Sequence, residues 1–119
     1  MSSPYVNVLI IYSKNLNKAK EFYNKLGLDF IYHKHGSSPK HLVYKQKGIV
    51  FEIYPLSNRD TPTSSLRLGF KVDSVDTIFD NHQINPYIVS TPSLSQWGRV
   101  ARLRDPDNHT IDLFESELL

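Results

Sequence analysis

Two stretches of this chain, sixty positions apart, superpose in residue type along most of their length: Gly48-Ile49-Val50-Phe51-Glu52-Ile53-Tyr54 and Asn108-His109-Thr110-Ile111-Asp112-Leu113-Phe114. Each opens on a turn-forming residue, runs into an apolar β-prone segment, and carries one acid at its centre. Side chains alternate along a strand. Phe51 and Ile53 therefore share one face, while Val50, Glu52 and Tyr54 share the other. The same parity sets Ile111 and Leu113 against Thr110, Asp112 and Phe114. Glu52 and Asp112 are thus equivalent positions of two related modules, each acid on the face away from the larger apolar side chains. Parity alone leaves each acid as either a solvated surface group or part of a site. The repeat favours a site.

The segments before each match carry one order of elements. Residues 6–13 are apolar and β-branched and read as a strand buried on both faces. Asn15 or Asn17 can cap a helix bearing Leu16, Ala19, Phe22, Tyr23 and Leu26 at helical spacing, which Gly27 stops. Residues 28–35 form a strand that ends at Gly36-Ser37-Ser38-Pro39, and 41–46 with 49–55 make a hairpin around Lys47-Gly48. The order is β-α-β-β-β over about residues 5–56, followed by a polar linker over 56–65. It recurs over about 66–116. Residues 66–72 are a strand, and Ser74 caps a helix with Val75, Ile78, Phe79 and His82 on one face. Residues 87–90 are a short strand, and a polar loop runs through Gln96-Trp97-Gly98. Residues 100–104 and 110–114 pair around Asp105-Pro106-Asp107-Asn108, where Pro presets the turn and Asn tolerates left-handed backbone.

Composition narrows the function. With 119 residues, one core and one domain over 1–119 are expected. There is no cysteine, which excludes disulfides, thiolate catalysis and thiolate metal sites. A net charge of +2 from dispersed basic residues gives no electrostatic case for nucleic acid or an anionic membrane. No signal peptide is visible, and the longest apolar run, 8–12, is too short to span a bilayer. The cytoplasm is the expected location.

Three pieces together resemble the vicinal oxygen chelate superfamily, which includes glyoxalases, bleomycin-resistance proteins and extradiol dioxygenases. They are Lys18-Ala19-Lys20-Glu21-Phe22-Tyr23-Asn24-Lys25-Leu26-Gly27, then Val50-Phe51-Glu52-Ile53, then Trp97-Gly98-Arg99 leading into Leu103-Arg104-Asp105-Pro106-Asp107-Asn108. The resemblance implies an α+β fold of two tandem βαβββ modules, a cup-shaped eight-stranded mixed sheet with helices on its outer face. It also implies a ligand cavity in the cup and, commonly, a homodimer. Metal-using members draw four ligands from equivalent strand positions, which fall here on Val8, Glu52, Arg67 and Asp112. Val8 has no donor atom, and the Arg67 guanidinium has no lone pair to give. The expectation is a protein with no metal and no cofactor. Arg67 can instead pair with Asp112 or Glu52, filling electrostatically the place of the ion. The pair reads equally as a structural brace or as a polar handle.

The expected function is metal-independent binding of a cationic or aromatic small molecule. Val8, Ile10, Tyr54, Trp97 and Phe114 would line the pocket, with Glu52, Arg67 and Asp112 as polar groups. Arg99 reads as a contact to an anionic ligand, a contact to a partner subunit, or an exposed arginine. Trp97 reads as a pocket wall or as a cap on the core. The alternative class is an enzyme of the same superfamily, a lyase, isomerase or dioxygenase. It would be either metal-dependent or would use Glu52 or Asp112 as general base with Arg67 polarising an oxyanion. His33 and His35 share a strand face, a geometry compatible with a metal, but no third ligand stands near them in the sequence. His41, His82 and His109 read as surface residues.

Overall fold

The computed structural model describes residues 2–118; Met1 and Leu119 lie outside the description. The chain forms two compact units that meet between Pro62 and Thr63, inside the segment expected to be a linker. Hydrogen bonding groups its eight strands into two four-stranded sheets, one in each unit, rather than into one continuous sheet.

Module one contains β1 (Val8–Ser13), α1 (Leu16–Lys25), β2 (Ile31–His33), β3 (His41–Gln46) and β4 (Ile49–Pro55), with sheet order β1-β4-β3-β2. Asn15 caps α1, its side chain accepting from Lys18 N at 3.1 Å. Asn17, the other candidate cap, accepts instead from the Tyr32 hydroxyl. Gly27, at φ 91°, ends the helix in a left-handed turn. There Gly27 N donates to Asn24 O at 2.9 Å and Leu28 N to Tyr23 O at 3.0 Å, satisfying carbonyls that the helix leaves open. Ala19, Phe22 and Tyr23 are buried. Tyr23 meets Phe30 and Phe51 at ring-centroid distances of 5.6 Å, so the helix lies on the Phe51 face as parity requires. The opposite face is open, which corrects the doubly buried reading of the first strand: Val8 is 45% and Ile10 41% exposed.

Module two contains β5 (Arg67–Lys71), α2 (Val75–Phe79), a 3₁₀ turn (His82–Tyr87), β6 (Ile88–Ser95), β7 (Gly98–Arg104) and β8 (Thr110–Phe114), in sheet order β5-β8-β7-β6. Both modules set the first strand parallel to the last in one register: Ile10 faces Glu52, and Gly69 faces Asp112. The equivalence of the two acids is therefore structural. The second helix is shorter than its apolar spacing suggests, because Asn81 caps a separate 3₁₀ turn that contains Pro86. Most of the expected polar loop is strand. Residues 91–95 extend β6, an edge strand whose register shifts between Ser90 and Ser93, so that Thr91 and Pro92 fall between paired positions and the ladder resumes at Ser93 opposite Val100.

Two histidines expected at the surface are fully buried, His41 and His109. Asp105 accounts for the second. Its Oδ1 accepts from Asp107 N and His109 N, and its Oδ2 lies 2.7 Å from His109 Nδ1. Thr63 Oγ1 meets the other ring nitrogen at 2.6 Å, so the imidazole is fully hydrogen-bonded where it is dry. Asn108 takes φ 69° and closes the turn, as its sequence position implies. His82 is exposed.

Candidate functional site

The face of module two carrying Asp112 holds a cavity of about 430 Å³ lined by Arg67, Ser90, Trp97, Val100, Ala101, Arg102, Asp112, Phe114 and Leu118. Strand parity builds it. Arg67 on β5, Asp112 and Phe114 on β8, and Val100 and Arg102 on β7 all fall on one face of the sheet. Trp97 enters from the two-residue turn between β6 and β7. Its N–H donates to Ser95 Oγ at 3.0 Å, and its ring stands edge-on to Phe114 at 6.5 Å. Gly98 follows at φ 76°, a left-handed conformation that calls for glycine, with Ser116 Oγ 2.8 Å from where a Cβ would stand.

Asp112 is the polar centre. Arg67 Nη2 donates to its Oδ2 at 2.7 Å, and Arg102 Nε donates to its Oδ1 at 2.6 Å. Burial alone would raise the carboxyl pKa. The hydrogen bonds and charges of Arg102 and Arg67 outweigh that and hold it below the ordinary carboxylate value. The same contact raises the pKa of the Arg102 guanidinium. The expected Arg67–Asp112 contact is present, but Arg67 is 63% exposed while Asp112 is only 12% exposed. Arg102 was not read as a site residue. It sits directly opposite Asp112 in the ladder, and the signal that could have found it was the hairpin register around Asp105-Pro106-Asp107-Asn108.

Arg99 does not join this cavity. Parity turns it to the helix side of β7, where its Nε and Nη2 bind the two Asp76 oxygens at 2.8 and 2.9 Å. A second hollow of about 280 Å³ adjoins the first, sharing Phe114 and Leu118, with Gly69, Lys71, Ser116 and Glu117 around it. A Cβ at position 69 would lie 3.2 Å from Phe114 Cε2, so Gly69 is what lets that ring lie across β5.

In module one, Val8, Ile10, Glu52 and Tyr54 share the face away from α1. His41 joins them. Its ring stacks on Tyr54 at 4.1 Å and 8°, and its Nε2 lies 3.1 Å from Glu52 Oε2. His41 Nδ1 lies 2.9 Å from the Pro39 carbonyl, which can only accept, so that nitrogen carries a proton. Burial, then the charges of Glu52 and Tyr12, raise the Tyr54 hydroxyl pKa above its ordinary value. His33 and His35 rings lie 3.9 Å apart, and the buried His33 Nδ1 has no hydrogen-bond partner among the described residues.

The donor set does not fit the metal that the superfamily resemblance implies. Val8 offers no ligand atom, Glu52 is engaged by His41, and guanidiniums occupy both Asp112 oxygens. Among the described residues no three His, Cys, Asp or Glu side chains converge as a metal site.

A model of the glyoxalase-like domain matches residues 6–117. TnmS3, an antibiotic binding protein from Streptomyces sp. CB03234, is 28% identical in its crystal structure, with TM-score 0.73, over 98% of this chain and 99% of that one. A glyoxalase/bleomycin resistance protein from Streptomyces sp. CB03234 is 27% identical, with TM-score 0.68, over 92% of this chain and 99% of that one. A bleomycin-binding protein solved with bleomycin shares the fold at 18% identity and TM-score 0.61, over 97% and 100% of the two chains. No curated protein matches the chain. The repeat, the register and the family match agree: this chain belongs to the glyoxalase-like domain family of the vicinal oxygen chelate superfamily.

Proposed function

We propose that this protein is a metal-independent small-molecule binding protein that takes a flat aromatic ligand in the module-two cavity. The observation that carries the reading is the composition of that cavity. Trp97, Phe114, Val100 and Leu118 supply apolar wall, and one compact polar group, Asp112 between two arginines, can orient a ligand. Its volume lies within the range of small-molecule sites. TnmS3, similar along its whole length, is an antibiotic binding protein, which supports binding rather than turnover. No helix among the described residues is long and apolar enough to cross a membrane, and the cysteine-free chain suits the reducing cytoplasm proposed for it.

Trp97 is the sole tryptophan, so its fluorescence reports the cavity directly. Titrating a panel of planar aromatic compounds into chelator-treated protein should shift that emission saturably. Binding that appears only when a divalent metal is restored would refute the reading.

The His41–Glu52 contact supports a second reading, metal-free proton transfer with Glu52 as base. It predicts deuterium exchange into an enolisable carbonyl compound that Glu52→Gln abolishes; exchange at the parent rate in that variant would dismiss it.

A further inference from the structure

The charge balance of the module-two cavity says what kind of ligand it prefers. A lone carboxylate among aromatic residues would suit a cation, and that is the expectation from Asp112 and Arg67 alone. Arg102 reverses it. Asp112, the only acid lining this cavity among the described residues, is engaged on both oxygens, by Arg67 and by Arg102. Two guanidiniums against one carboxylate leave the lining with one net positive charge. The carboxyl pKa also lies below its usual value, so near neutrality Asp112 stays ionised and has no proton to donate.

The donors left over have the same sense. Arg102 uses Nε on Asp112, and Arg67 uses one Nη. Among the described residues the remaining N–H groups of these two guanidiniums have no protein acceptor. Both arginines line the cavity together with Trp97, Phe114 and Val100. The adjoining hollow is lined by one cation and one acid, Lys71 and Glu117, and Lys71 Nζ lies 3.6 Å from Asp73 Oδ1.

We infer that the cavity selects an aromatic ligand bearing an anionic oxygen, a carboxylate, sulfonate or ionised phenol, held by the free guanidinium donors of Arg67 and Arg102. This rests on the proposal that the cavity is the binding site, and it adds the sign of the ligand's charge. Asp112 acts as a positioning residue that fixes the two arginines rather than as the group that meets the ligand.

Three probes of one shape separate the two claims: 2-naphthoate, 2-naphthalenemethanol and protonated 2-naphthylmethylamine, titrated calorimetrically into the full chelator-treated chain. The expected order places naphthoate at least about tenfold tighter than the amine, with the alcohol between them. Naphthoate affinity should fall with added salt, and should drop about tenfold in Arg102→Gln, with the alcohol changed less than about threefold. Arg67→Gln gives the same comparison at a largely exposed position where folding is not at stake. An amine that binds as tightly as naphthoate, or naphthoate affinity unmoved in both variants, overturns the charge assignment while leaving cavity binding intact. Failure of all three probes overturns both.

Discussion

Asp112 gathers most of the electrostatic information in the molecule, and its surroundings set measurable costs. Arg67 is largely exposed, and Arg102 remains on the carboxylate when Arg67 is lost. Arg67→Ala should therefore destabilise by about 1 kcal/mol or less, near the limit for exposed pairs. Removing the shared acid is a different change. Asp112→Ala leaves two guanidiniums facing each other and should cost on the order of 1–3 kcal/mol, between the exposed-pair and buried-pair limits. The pH dependence follows from the depressed carboxyl pKa. The unfolded chain binds that proton more readily, so Asp112 contributes its full stability above its unfolded pKa of about 4. That contribution is lost as pH falls through the folded value below it. Urea unfolding across acid pH should show a shallower acid limb for Asp112→Asn than for the parent; identical limbs would mean that the acid is not held as described.

At the scale of elements, legibility followed burial. α1 with its cap and stop, and the two final hairpins, could be read because alternation, spacing and turn chemistry agree there. Edge elements were less legible. β6 is polar and holds Pro92, which a central strand could not accommodate but an edge strand can, so its outer half reads as loop. His41 reads as a surface group because its partner Glu52 lies on the neighbouring strand, and His109 because the turn that folds Asp105 onto its ring and the distant Thr63 come together only in the fold. Arg102 was missed for the related reason that a register links it to Asp112 across a turn. The short α2 depends on tertiary contacts as well as its Ser74 cap: Glu115 Oε2 accepts from Val75 N at 2.8 Å, and Asp76 holds Arg99. Glu115→Ala should loosen this segment, accelerating amide exchange in residues 75–80 well beyond any change in α1; uniform exchange would show that α2 does not need that cap.

For the whole molecule, the comparisons establish the family. With Val8 and Arg67 at two of the expected ligand positions, the purified protein should carry no stoichiometric transition metal, and chelators should leave its thermal midpoint unchanged. One zinc, nickel or iron per chain would contradict that. A homodimer is also proposed, since module one leaves Val8, Ile10 and Ile31 exposed and each sheet has open edge strands. Sedimentation equilibrium at micromolar concentration should return twice the 13.7 kDa chain mass, and a monomer would remove that part of the account.

The central claim is that module two binds an aromatic ligand without metal, against Trp97 and beside Asp112. Chemical-shift mapping of the chelator-treated, isotope-labelled protein with 2-naphthoate tests it at each residue. The Trp97 indole N–H and the amides of Ser90, Arg102 and Phe114 should move together and saturate at one equivalent. Shifts confined to module one, or a spectrum unchanged until metal is added, would contradict it.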